Sequence, residues 1–196
     1  MRSVVLAATA VLAVAGSTFA NPVTFTASGG GRAASAVFAT SGTNLVVTLI
    51  NTSTSDVSEP IFVLTGVYFD VSGGALSLTR TSALLNAGST VINAASQPAG
   101  GNVGGEWAYK TGLSGAVGGA AYGISSSGLG LFGPGDRFPG ANLDGPTSPD
   151  GLQYGITSAG DDASTNNGGT NTPLIKNSVV FTLGGLPLGF DLARLG

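Results

Sequence analysis

The chain has 196 residues and contains neither histidine nor cysteine, which narrows the chemistry open to it. Without imidazole or thiol, Ser-His-Asp and Cys-His nucleophiles cannot be assembled, and the nitrogen and thiolate ligands of most metal sites are missing. Glycoside hydrolysis needs a matched carboxylate pair across the bond to be cleaved. The acids available are Glu59, Glu106 and eight aspartates, and most of the aspartates stand in turn sequence, where Asp oxygens bond their own backbone. A Ser-Lys dyad would have to use Lys110 or Lys176, and neither ends an S-x-x-K pattern. The residues predict a protein with no catalytic group, no cofactor and no dedicated metal ligands.

Four stretches still invite a functional reading. Gly128-Leu-Gly-Leu-Phe-Gly133 fits G-x-G-x-x-G, but Pro134-Gly135-Asp136 comes at once after it. A helix N-terminus aimed at a pyrophosphate cannot begin there, so the match is one of chance. The loop Gly160–Gly169, GDDASTNNGG, is rich in the oxygen ligands that suit Ca²⁺. An EF-hand frame starting at Asp162 reaches Ser164 and Asn166, but then meets Asn167 where Gly belongs and Pro173 where Glu belongs. That leaves a solvated loop or a looser Ca²⁺ site. Asn51-Thr52-Ser53 is a glycosylation sequon, or else an Asx-turn. Trp107, Tyr109, Tyr122 and Tyr154 could form a sugar-stacking surface, although Trp107 lies in the alternating run GEWAYK and reads better as sheet packing.

The elements that must position these residues start with the N-terminus. Arg2, the small apolar run Val4–Ala15 and Thr18-Phe19-Ala20 have the three-part order of a secretory signal peptide. Residues 1–20 are predicted to be removed between Ala20 and Asn21, and residues 21–196 to form a single all-β domain. The apolar run is shorter than the ~20 residues of a membrane span, and no span is expected in the mature chain. Charged residues are 9% of the chain and its cations stand singly, so no basic footprint for nucleic acid or an anionic membrane exists. With no disulfide available, the domain must be held by its core.

Thirty-three glycines, clustered between β-branched runs, argue for short strands and tight turns. Strands are predicted at Asn21–Ser28, Ala33–Ala39, Asn44–Ile50, Leu76–Thr81, Val91–Ala94, Glu106–Lys110, Ala120–Ser125, Leu152–Thr157 and Ser178–Leu183. The longest is expected at Ile61–Val71, paired in a hairpin with Leu76–Thr81. The stretch from Gly112 to Pro149, apart from the short strand at Ala120–Ser125, and the segment SAGDDASTNNGGTNTPLIKN are expected to be loops. The fold class predicted is a single antiparallel β-sandwich, jelly-roll-like, with long Gly/Ser/Pro-rich loops.

Three segments together carry a family likeness: VTLINTSTSDVSEPIFVLTGVYFDVSG at Val47–Gly73, GLGLFGPGDRFPGANLDGP at Gly128–Pro146, and DGLQYGITSAGDDASTNNGG with PLIKNSVVFTL at Asp150–Leu183. They resemble the exosortase-dependent surface proteins of the XDD type, within the PEP-CTERM group. The resemblance implies an exported β-domain with a surface or extracellular-matrix role and no known enzymatic activity. It also implies a C-terminal sorting tail with a span and a basic cluster. After Leu183 the chain reads GGLPLGFDLARLG and carries neither, so the expectation is either a truncated tail or a released protein.

Two function classes emerge. One is an exported bacterial surface or extracellular-matrix protein, secreted or on the cell surface, in a structural or interaction role. The other is a carbohydrate-binding β-sandwich module with a loop site, Ca²⁺-assisted or not. The partners expected are extracellular polysaccharide or other surface proteins.

Overall fold

A computed structural model describes residues 21–128, 131, 142–146, 148–149, 151–162 and 172–196. Among them are eleven strands: β1 (Val23–Gly29), β2 (Arg32–Ser41), β3 (Asn44–Asn51), β4 (Gly66–Phe69), β5 (Thr79–Leu85), β6 (Thr90–Ile92), β7 (Ala108–Thr111), β8 (Tyr122–Ser125), β9 (Ile156–Thr157), β10 (Leu174–Lys176) and β11 (Ser178–Gly184). Helical structure among the described residues is confined to single 3₁₀ turns such as Pro60–Phe62 and Leu192–Arg194. The all-β class expected from the glycine-punctuated runs is what the chain adopts.

The main sheet has the order β1-β2-β3-β11-β5, and every pairing in it is antiparallel. Two three-stranded sheets, β4-β8-β7 and β6-β10-β9, complete the described strands. The second of these includes the parallel pair β9–β10. The arrangement of the described strands is sandwich-like.

Period-two patterning builds the core. Along β3, Leu45, Val47, Leu49 and Asn51 are buried in strict alternation. On β11 the inward residues are Val179, Phe181 and Leu183, each with no solvent exposure. These meet Phe69, Tyr109, Tyr122 and Ile124 from one small sheet, and Val91, Ile156 and Ile175 from the other, in one apolar cluster. Aromatic contacts join the layers. Trp107 lies 4.9 Å from Phe181 between ring centroids. Phe38 meets Phe69 edge-on at 5.4 Å, and Phe69 stacks on Tyr122 at 5.3 Å.

The two-residue turns explain the first three strands. Gly30 and Gly31 both have positive φ, 58° and 78°, the conformation that a type I′ hairpin needs and that glycine adopts without strain. Gly42, at φ 59°, opens the two-residue loop before β3.

Three expectations are corrected. Ile61–Val71 is not one strand. Pro60 starts a 3₁₀ turn in which the Val63 N–H donates to the Pro60 carbonyl. Beyond it, Leu64 bridges Ile156, β4 pairs with β8, and Val71 bridges Leu195. The long apolar alternation reflects three partners in succession rather than one ladder. Nor does this segment form a hairpin with the next strand. Gly73 and Gly74, at φ 74° and 123°, lead instead to β5, which joins β11 in the main sheet. Finally, PLIKN is not loop, because Leu174–Lys176 forms β10. Asn177, at φ 82°, then turns the chain from the small sheet into the main one.

Because Phe181 fills the space under the only tryptophan, Phe181→Ala should cost about 3–5 kcal/mol. A urea titration followed by Trp107 fluorescence measures it, and a midpoint unchanged from the parent would show that the site collapses without loss.

Candidate functional site

The described surface has a cleft of about 330 Å³ between the tip of the β1–β2 hairpin and the segment leading into β4. One wall is Ala27–Gly29 with Arg32–Ala34, and the other is Ile61–Gly66 with Tyr68. The Gly30-Gly31 turn places Arg32 at the mouth, where its guanidinium carbon sits 5.9 Å from the centroid of the Phe62 ring. Arg32 Nη1 donates to the Ile61 carbonyl at 3.4 Å. Beside it, the Ile61 side chain is 61% exposed. A cation over an aromatic face next to an exposed aliphatic group can hold a ligand that has both an apolar face and an acceptor.

The polar residues at the base of the cleft are engaged within the fold. Asn51 is buried; its amide donates to the Ile156 carbonyl at 3.0 Å, and its oxygen accepts from the Ser53 N–H at 3.1 Å. This is an Asx-turn, so the Asn51-Thr52-Ser53 sequon is structural in the folded chain. Ser53 Oγ accepts from Ala33 N–H at 2.9 Å.

The loop singled out for calcium is described only as far as Asp162; Ser164, Asn166 and Asn167 lie outside the described residues. Asp161 points inward with no exposure. One of its oxygens accepts from the Val57 N–H at 3.0 Å and the other from the Thr157 hydroxyl at 2.5 Å. Together with the bond from Ser158 Oγ to the Ser55 carbonyl, it fastens the Asn51–Pro60 connection to β9. Among the described residues no group of three acidic side chains is placed to hold a metal ion.

The aromatic residues do not form a sugar-stacking platform. Trp107, Tyr109 and Tyr122 are buried. Trp107 Nε1 donates to the Tyr154 carbonyl at 3.1 Å, and the Leu76 N–H donates to the Tyr122 hydroxyl at 2.6 Å. Tyr154 is half-buried at φ 55°. At the G-x-G-x-x-G stretch, Gly128 begins a turn in which the Leu131 N–H donates to its carbonyl; residues 129–130 and 132–133 lie outside the described residues.

Burial pushes the phenols of Tyr68, Tyr109 and Tyr154 above their ordinary value of 10. Tyr122 adds to the effect at Tyr109, and Glu106 adds to it at Tyr154. Ser125 opposes it at Tyr68 by hydrogen bonding.

The cleft is not among the sites that residue types and spacing suggest. In the sequence Arg32 is one scattered cation, and Ile61 falls inside a run that alternates like a buried strand. The usable signal is GGGR, a turn with a lone charge immediately after it.

Fold and cleft together define an all-β, sandwich-like protein with a ligand-sized depression on its described surface. No protein-family model, curated protein or solved structure matches the chain. No helix among the described residues is long and apolar enough to cross a membrane.

Two measurements test these geometries. Removing the Asp161 carboxylate leaves Val57 N–H and Thr157 without an acceptor, so Asp161→Ala should lose about 2–3 kcal/mol; equal stability in chemical denaturation would contradict the contact. Phenols held neutral in the fold stabilise it fully below pH 10, and that contribution disappears as pH rises through their elevated values. Absorbance at 295 nm should therefore show Tyr68, Tyr109 and Tyr154 ionising late, together with base unfolding.

Proposed function

We propose that the chain is the β-domain of an exported bacterial surface or extracellular-matrix protein, with a structural or interaction role and no catalysis. The observation that carries this reading is the use of its reactive groups. Asp161 braces a connection, and Ser125 accepts from Ser127 and Gly128 N–H while donating to Thr65. Neither faces the cleft as a nucleophile, acid or base would. The tripartite N-terminal segment and the likeness to exosortase-dependent surface proteins of the PEP-CTERM group add support. Cell fractionation tests it: the chain is expected in the medium or on the cell surface with its N-terminus at Asn21, and a purely cytoplasmic product starting at Met1 would refute it.

A second reading, a carbohydrate-binding module, is favoured by Arg32 over Phe62 beside the exposed Ile61. A cleft lined by both apolar groups and donors suits the mixed faces of a saccharide better than a catalytic task. On a glycan array, Arg32→Ala is expected to weaken any specific saccharide signal at least tenfold. Specific signals untouched by that change would place the binding elsewhere.

A further inference from the structure

The two edges of the main sheet are finished differently. On the β5 side, Leu84 bridges Asn102, the Val103 N–H donates to the Ala83 carbonyl, and the register with β11 shifts at Thr182/Leu183. Arg80 adds a charge there. These are devices by which natural sheets block pairing with another chain. β1 has none of them. Val23–Gly29 is seven residues long, carries no charge and no proline, and pairs with β2 without a bulge.

The direction of its backbone groups is set by the turn. A two-residue loop makes Gly29 and Arg32 a hydrogen-bonded pair, so Ala27, Phe25 and Val23 also turn their amides toward β2. On the far side of β2 the same alternation holds, since the Thr52 N–H donates to the Ala33 carbonyl. Thr24, Thr26 and Ser28 therefore present their N–H and C=O groups outward. Among the described residues nothing pairs with them.

We propose that β1 pairs antiparallel with β1 of a second copy of the chain, about a two-fold axis at Thr26, so that two main sheets become one continuous sheet. In this register Thr24 lies opposite Ser28 and Thr26 opposite itself, giving about six backbone hydrogen bonds. On the core-side face Phe25 lies opposite Ala27 and Val23 opposite Gly29, a large residue against a small one each time. Phe25 is 38% exposed although its ring meets Phe38 edge-on at 5.7 Å; the second copy covers it. The strand brings no like charges together, whereas pairing through β5 would bring Arg80 toward its own copy. The contact is isologous and closes at two. It buries on the order of 1,000 Å² at most, the lower limit for a specific interface, so the dimer is reversible.

Sedimentation of the chain, produced from its full-length reading frame in a bacterial host, should show a concentration-dependent dimer. Thr26→Lys sets like charges directly opposite and should weaken the dimer at least tenfold without changing the melting temperature. In a chain without cysteine, Thr26→Cys should cross-link to a dimer under mild oxidation, because facing Cα atoms about 5.5 Å apart fall within disulfide range. Thr24→Cys mixed with Ser28→Cys should cross-link, and neither alone should. A monomer at millimolar concentration, a species larger than two, or a dimer in which Thr26→Cys stays reduced would overturn the proposal.

Discussion

The contact between Trp107 and Phe181 joins the main sheet to the smaller layer that faces it. Each ring has no solvent exposure, and each sits on a segment tied to different partners. Phe181 belongs to β11, flanked by β3 and β5. Trp107 leads into β7 and bonds the carbonyl of Tyr154 ahead of β9. Two large rings 4.9 Å apart bury enough apolar surface to anchor a chain that has no disulfide. Strands of two or three residues, such as β9 and β10, are too short to hold alone; they persist because Ile156 and Ile175 lie against this centre.

Polar side chains finish what the strands leave open. Many of the connections run close to the core, where an unpaired backbone group is costly. Asn51, Asp161, Ser125 and Tyr122 each bond main-chain groups of a distant or turning segment. Among the described residues this gives buried serine and asparagine side chains a structural task. These four side chains act as substitutes for ladder hydrogen bonds.

Most strands are legible from alternation, and β3 and β11 almost to the residue, because each has one face buried along its whole length. Alternation misleads where neighbours change along a segment. Ile61–Val71 alternates as a single strand would, yet Pro60 winds its start into a 3₁₀ turn and three separate partners take the rest. β10 is hidden because Leu174–Lys176 is too short for a period to register and comes after a polar run. The cleft is illegible for a related reason: Arg32, Phe62 and Tyr68 converge only once β1–β2 and the approach to β4 are set side by side, and no local pattern encodes that. Asn51 and Trp107 are legible, since a turn and a sheet-packing role arise from their immediate context.

The position of β11 has a temporal side. The strand that fills the gap between β3 and β5 is among the last pieces of the described chain to be synthesised. β1, β2 and β3 can form hairpins early, but the main sheet and its aromatic centre must wait for residues beyond Ser178. A nascent chain emerging at roughly 5–20 residues per second thus stays unfinished until that late stretch appears. Until then the facing edges of β3 and β5 stay open, because β11 is the strand that pairs with both.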